Sequence, residues 1–285
     1  MRSTRATPRN VFVTGSSSNG SSTIDHLHSW MSSTHQPMKV SLVTVCRNAG
    51  PVIAATLDSI VSQTHGNIEV VVIDGASTDD TVKILEGYRS KLGYVVSEPD
   101  KGIYDAMNKG LRAATGDVIG FVNAGDLLMT SEVVAKVVEA FERTGAHAVY
   151  GDIIMVDEAD PNKVKRTWKG GAYRRDRFER GWMPPHIATF IRRDAYERLG
   201  LFNTDLRIAA DYEILLRMLY VNKLPTTHIS DILVRFRLGG LSNGSLRHIM
   251  KANAEVRRSW TLNGLKAPPL LVTRKLWSKV LQYFH

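Results

Sequence analysis

The sequence predicts an α/β protein built on a mostly parallel sheet that helices cover on both faces. Three observations lead there. Apolar runs of strand length, rich in valine and isoleucine, occupy Val40 to Val45, Ile68 to Ile73 and Val118 to Val122. Segments with helical spacing separate them, and this alternation implies crossover connections between parallel strands. The runs themselves read as strands buried on both faces. With 285 residues and 43% hydrophobic content, the chain can bury the core of one large domain or of a domain with an appendage.

Residues 1–37 are rich in Ser, Thr and Asn, carry a single acid (Asp25) and show no sustained periodicity, so they are expected to form a disordered leader. Met38 opens the first strand-like run, "MKVSLVTVC", and is expected to be the true start of the protein. In "PVIAATLDSIVSQ", Pro51 suits the first turn of a helix. The next run, "VVVIDGASTDDT", ends in aspartates. Asp74 falls at the strand's carboxyl end, either as a ligand-binding group or as a turn-former before Gly75. Asp79 and Asp80, with Thr78, read as the cap of a second helix. The turn Asp100–Lys101–Gly102 precedes a third helix, Ile103 to Ala114, whose free N–H groups suit an anionic ligand. The strand in "DVIGFV" leads into "NAGD", Asn123 to Asp126, and a further helix starts near Ser131. Ligands of open parallel sheets gather at the carboxyl ends of the strands, so Asp74 and Asp126 are expected on one rim.

Other classes are excluded by what the chain lacks. The single cysteine, Cys46, rules out an internal disulfide framework and a Cys-rich zinc site, which fits a cytoplasmic protein. There is no run of about eighteen apolar residues and no secretory h-region. Dinucleotide, Walker, HExxH and nucleophile-elbow motifs are absent. The positive segments and aromatics form no nucleic-acid-binding motif, so no nucleic-acid partner is expected.

Four blocks, "SLVTVCRNAG", "TLDSIVSQTHGNIEVVVIDGASTDDT", "SEPDKGIYDAMNKGLRAATGDVIGFVNAGD" and "AADYE", stand in an order and spacing that resemble the family-2 inverting glycosyltransferases of the GT-A fold. The resemblance covers residues 39–240 and is narrower still to short soluble bacterial members that build surface polysaccharides and glycolipids. It implies a glycosyltransferase domain over 38–245, with a donor-nucleotide half (38–128) on a mostly parallel sheet and a mixed acceptor half (129–245), followed by a basic helical extension (246–285). It also implies a nucleotide-diphospho-sugar donor, a glycan or lipid-linked acceptor, and a divalent metal, Mn or Mg.

Such a reaction needs groups that hold the base and ribose, neutralise charge developing on the diphosphate, and take a proton from the acceptor hydroxyl. By resemblance, Thr44, Val45, Cys46, Arg47 and Asp74 contact the nucleoside. Asp100 and Lys101 close over the donor, with Tyr104, Asp105 and Asn108 attached more loosely. Asn123, Ala124 and Gly125 belong to the donor site, and Asp126 is the metal ligand. Asn123 and Gly125 stand where the family often has acids, yet one carboxylate, diphosphate oxygens and waters complete an oxygen shell. His186, in "MPPHIATF", matches a position near the diphosphate or metal. The proton acceptor is Asp211 in "IAADYEILLRMLY", with a helix N-cap as its alternative role. Glu213 diverges from it by about 200° on a helix and faces elsewhere.

Processive members need membrane helices and a Gln-x-x-Arg-Trp block; "VRRSW" is not one, so transfer of a single sugar is expected. The altered "NAGD" block also suits an alternative, a catalytically inactive member kept as a scaffold. Charge is uneven: residues 38–162 hold 10 Lys/Arg against 18 Asp/Glu, 163–180 hold 8 against 2, and 247–285 hold 8 against 1. In residues 266–285, a helical reading of "LLVTRKLWSKVLQYFH" puts Leu276, Trp277, Val280, Leu281 and Phe284 on one face. That face either docks peripherally on the inner face of the plasma membrane or packs on the domain or a second subunit of a homo-oligomer.

Overall fold

Every residue of β1 (Val40–Cys46) is buried, and its side chains alternate between two cores. Val40, Leu42 and Cys46 pack on one face of the sheet, Val43 and Val45 on the other. β2 (Ile68–Asp74) repeats the division, with Val70 and Val72 on one side and Val71 and Ile73 on the other. Two-sided burial is why both strands read as near-continuous apolar runs. The computed structural model describes residues 36–239, 246–269 and 271. The expected leader, up to residue 35, and most of the amphipathic tail, residues 272–285, lie outside the described residues.

β1 pairs in parallel with β2 and with β4 (Val118–Phe121), and β2 with β3 (Tyr94–Ser97). The crossovers are α1 (Gly50–Val61), α2 (Thr81–Gly87) and α3 (Ile103–Ala113). Pro51 sits in the first turn of α1 as the sequence predicts. The cap of α2 differs in detail. Asp80 occupies the N-cap position without a side-chain bond. Asp79 instead accepts from Thr81 N–H at 3.0 Å and, across the rim, from the N–H of Gly50 at the start of α1, also at 3.0 Å. One carboxylate therefore serves two helix starts. α3 lies close on the sheet because residue 110 is glycine: a Cβ there would stand 2.3 Å from Val43 Cγ1.

The second half adds β5 (Leu127–Leu128), α4 (Val133–Thr144), β6 (Ala148–Val156), β7 (Val164–Trp168), β8 (Thr189–Arg192), α5 (Arg193–Leu199), α6 (Ala210–Leu215), β9 (Thr226–Arg237) and α7 (Leu246–Leu262). Helix α4 starts two residues later than Ser131. A π-helical turn, Leu216–Val221, continues α6. Among the described residues nine strands form one sheet in the order β3-β2-β1-β4-β8-β6-β9-β5, with β7 on β6. Beyond β4 it becomes mixed, since β8 runs antiparallel to both β4 and β6, while β9 runs parallel to β6. The fold class is thus as the sequence predicts: α/β, parallel on the first side and mixed on the second.

α7 is built into the same unit as the sheet: Val256 and Trp260 are buried in the core that also contains Tyr212, Leu215 and Leu216. Among the described residues no helix is long and apolar enough to cross a membrane.

At the amino edge of β1 and β2, Glu69 gathers the hydroxyl of Ser41, the N–H and hydroxyl of Thr115, and the Lys39 ammonium. Burial alone would raise its carboxyl pKa, but these donors outweigh it and hold the group at about 2. A carboxyl depressed in the folded state stabilises above its unfolded pKa, and that contribution fades as pH falls toward the folded value. Glu69→Gln should therefore lower the urea midpoint at pH 7, and the difference from wild type should shrink between pH 4.5 and 2. A pH-independent difference would refute this account.

Candidate active site

Two adjoining loops shape the carboxyl rim, and both hold non-glycine residues at positive φ: Asn48 at 49° after β1 and Ala76 at 55° after β2. Residues rarely adopt such angles unless their surroundings impose them. Asn48 N–H donates to Ser77 Oγ at 2.7 Å, and Asn48 Oδ1 accepts from Thr78 N–H at 2.9 Å. Asp74 is fully buried under this pair. Its Oδ2 accepts from Ser77 N–H at 2.9 Å and Ser97 Oγ at 2.6 Å, and its Oδ1 accepts from Ser77 Oγ and, at 3.6 Å, from Cys46 Sγ. Burial, reinforced by Asp74, pushes the Cys46 thiol pKa far up, so it stays neutral.

Beside these loops opens a cavity of about 750 Å³, lined by Val45 and Cys46 of β1 and Arg47 and Asn48 of the loop after it, by Asp100 and Gly102, and by Asn123, Ala124 and Gly125. Arg237 and Gly239, at the end of β9, close it. Gly102, at φ 122°, and Gly125, at φ 99°, take backbone angles that other residues rarely reach. The turn before α3 is braced from within: Asp100 accepts from Gly102 N–H at 2.8 Å and Asp105 from Lys101 N–H at 3.0 Å. Arg207 donates to the Lys101 carbonyl at 2.8 Å.

A second cavity, of about 360 Å³, shares Ile103, Asn123, Ala124, Arg237 and Gly239 with the first. Asp126, His186 and Asp211, distant in sequence, line it together. Asp126 is 4% exposed and receives one long hydrogen bond, from Arg237 N–H at 3.3 Å. Burial pushes its carboxyl up to about 8, with the Arg237 N–H pulling the other way. His186 lies between Phe121 and Phe202, each ring centroid 5.4 Å away. Burial lowers its pKa against the pull of Asp211, which favours neutral imidazole. The opposite wall is apolar, with Ile153, Met155, Trp168, Met183 and Phe236.

Asp211, in the first turn of α6, accepts from Tyr212 N–H at 2.7 Å and from the Tyr104 hydroxyl at 3.4 Å. The loop before it is held from two sides. On the α3 side, Asn108 exchanges two hydrogen bonds of 2.9 Å with the backbone of Phe202, and Tyr104 donates to Ile208 O at 2.8 Å. On the α7 side, buried Glu255 accepts from the N–H groups of Arg207, Ile208 and Ala209 at 3.2, 2.8 and 2.9 Å. Trp260 Nε1 donates to the Tyr212 hydroxyl at 3.0 Å, and Asn263 Nδ2 to Glu213 at 3.0 Å. Glu213 faces away from the cavities into a bidentate pair with Arg217, both bonds 3.0 Å.

Among the described residues no group of three His, Cys, Asp or Glu side chains could hold a metal alone. The donor set nonetheless fits a cation that brings most of its own ligands. Asp126 is a buried carboxylate with no basic side chain bonded to it, and the neighbouring Asn123 Oδ1 is buried without a hydrogen-bond partner. A hard cation with oxygen ligands satisfies both.

Most residues singled out from the sequence meet at these cavities: Val45, Cys46, Arg47, Asp100, Asn123, Ala124 and Gly125 at the first, Asp126, His186 and Asp211 at the second. Five do not. Thr44 is fully buried within β1, Asp74 accepts from Ser77, Ser97 and Cys46 beneath the rim, and Lys101 is exposed outside both linings. Asn108 and Asp105 brace the backbone. Sequence reasoning missed Arg207, Arg237, Trp168 and Glu255. "RIAADYE" places a cation four residues before Asp211, a signal available in the sequence, whereas Glu255 and Arg237 reach the site through pairings that no local pattern announces.

A rim of this form on a sheet that turns from parallel to mixed defines a GT-A glycosyltransferase. The chain belongs to glycosyl transferase family 2, whose model matches residues 41–200. It is 34% identical over 210 residues to a PGL/p-HBAD biosynthesis glycosyltransferase of Mycobacterium bovis (strain BCG / Pasteur 1173P2), covering 71% of this chain and 78% of that one. It is 33% identical over 232 residues to an uncharacterized glycosyltransferase of Mycobacterium tuberculosis (strain CDC 1551 / Oshkosh), covering 79% and 84%. The fold is shared with S. aureus TarS 1-349 in complex with UDP (TM-score 0.61, 20% identity, 83% of this chain and 68% of that one). It is shared equally with the mannosyltransferase PcManGT from Pyrobaculum calidifontis in complex with GDP-Man and Mn2+ (TM-score 0.61, 21% identity, 85% and 70%).

The Glu255 clamp makes a stability prediction. Glu255→Ala leaves the N–H groups of residues 207–209, that of Ala209 buried and those of Arg207 and Ile208 partly so, without this acceptor and should cost about 2–4 kcal/mol, read as a lower urea midpoint at unchanged slope. Glu255→Gln, which keeps an acceptor oxygen, should cost less. Equal losses would show that packing, not hydrogen bonding, holds the loop.

Proposed function

We propose that the protein transfers a single sugar, with inversion, from a nucleotide-diphospho-sugar to a hydroxyl of a glycan or lipid-linked acceptor, in a reaction that depends on a divalent cation. The observation that carries this reading is the pair of joined cavities, one walled by the ends of β1 and β4, the other holding Asp126 and Asp211 together. TarS structures with UDP and UDP-GlcNAc, and the PcManGT complex with GDP-Man and Mn2+, support the donor class and the cation.

The nucleoside lies in the larger cavity against Val45–Asn48, which Asp74 shapes from beneath. The diphosphate lies by Asn123–Gly125, where Arg237 supplies positive charge. Asp126, with His186 nearby, would hold Mn or Mg; the cation's contribution is to offset charge on the departing diphosphate. Asp211 takes the proton of the acceptor hydroxyl as its oxygen bonds to the anomeric carbon from the face opposite the diphosphate. The bond to the diphosphate breaks, and its electron pair stays on the phosphate oxygen. Tyr104 and the Glu255 clamp keep the Asp211 carboxylate in place. The apolar wall at Met155, Trp168 and Phe236 favours an acceptor with a hydrocarbon portion, in line with a relative named for PGL/p-HBAD biosynthesis.

Asp211→Asn keeps shape but removes the base, so transfer should fall on the order of 10² to 10⁴-fold while donor affinity is kept. Asp126→Ala should instead abolish the manganese dependence of nucleotide diphosphate binding in calorimetry. Near-normal turnover of the first variant removes Asp211 from its role, and unchanged metal dependence of the second removes Asp126.

A further inference from the structure

Helix α7 presents a second surface beside the catalytic cavity. Its inward face is occupied by Glu255, Val256, Ser259 and Trp260, all buried. Its outward face, at helical spacing over about 16 Å, carries Arg247, Lys251, Arg257 and Arg258, all exposed. Met250, 72% exposed, stands among them, and Leu262, 44% exposed, follows one turn beyond Arg258. None of the four cations forms a salt bridge among the described residues. The helix's one acid, Glu255, is turned inward onto residues 207–209. His248, on the same helix, lines the catalytic cavity.

Like charges on one helix face repel, and exposed aliphatic side chains gain nothing from water. A partner that relieves both must offer dense negative charge with hydrocarbon just beneath it. An anionic bilayer surface does so: basic side chains meet the headgroups while aliphatic ones enter the acyl boundary. A polynucleotide would match the cations but offers Met250 and Leu262 no comparable burial.

We propose that the outward face of α7 docks the enzyme on an anionic lipid surface, with the cavity beside His248 brought to the membrane where a lipid-linked acceptor resides. The inference rests on that reading of the acceptor. It places the contact on α7 itself, in addition to whatever residues 272–285 contribute.

The test is co-sedimentation of the full chain with vesicles of phosphatidylcholine alone or mixed with phosphatidylglycerol. Wild type should pellet with the mixed vesicles at low salt, release at high salt, and ignore phosphatidylcholine. Each cation at such a surface strengthens binding about five-fold, so joint reversal of Arg247, Lys251, Arg257 and Arg258 to Glu should weaken it on the order of 10²-fold or more. Met250→Asp, a single exposed change, should weaken it in the same direction and guards against misfolding of the fourfold variant. Failure of wild type to pellet, or equal pelleting of wild type and both variants, overturns the proposal. So does tighter binding to duplex DNA than to mixed vesicles. Nucleotide release from donor without vesicles, expected to be equal in wild type and Met250→Asp, reports the glycosyltransferase reading separately: its absence in both would refute that reading, whatever the pelleting shows.

Discussion

The burial of β1 on both faces is the constraint from which the rest of the architecture follows. A strand with no exposed residue must sit inside a sheet with helices above and below it. Its neighbours β2 and β4 are then reached by crossovers, which turn every carboxyl end to the same rim. The loops after β1, β2 and β4 are thereby brought side by side, although Arg47, Asp74 and Asp126 are spread over 79 residues of chain. The larger cavity lies at that rim, since the two faces of the sheet are filled by packed cores.

Buried carboxylates on and behind the rim divide into two kinds. Asp74, Glu213 and Glu255 each accept several short hydrogen bonds or a bidentate pair, and each holds backbone or a neighbouring helix in place. Asp126 is as deeply buried but receives a single long bond. An ion so poorly compensated is unfavourable in the folded chain by itself, which is why its pKa rises so far. Among the described residues, contrast in hydrogen-bond supply, more than burial, separates Asp126 from the three carboxylates that brace the scaffold.

The second half of the chain supplies what the parallel half lacks. α6 presents Asp211, α3 and α7 grip the loop before it from opposite sides, and β9 returns Arg237 to the junction of the two cavities. α7 therefore has two unlike faces: an inner one that fixes the loop before Asp211 and an outer one that is basic, partly apolar and free of exposed acids.

The sequence by itself determined the strands, the helices between them and the carboxyl rim, because two-sided burial leaves unbroken apolar runs and helices leave their own spacing. Placement of Asp126, His186 and Asp211 in one site was legible through the family's ordered motifs. The tertiary structure alone decided which acids are supplied with hydrogen bonds. Asp74, read as a ligand group or a turn-former, accepts from Ser77 and Ser97, and of Thr78, Asp79 and Asp80, read together as a helix cap, it is Asp79 that carries the bonds, across to Gly50. Within the basic helical extension expected over 246–285, α7 also clamps the loop before Asp211 through Glu255 and Trp260. A carboxylate's role depends on which donors reach its oxygens. When those donors come from loops and helices tens of residues away, packing decides the outcome and local sequence cannot.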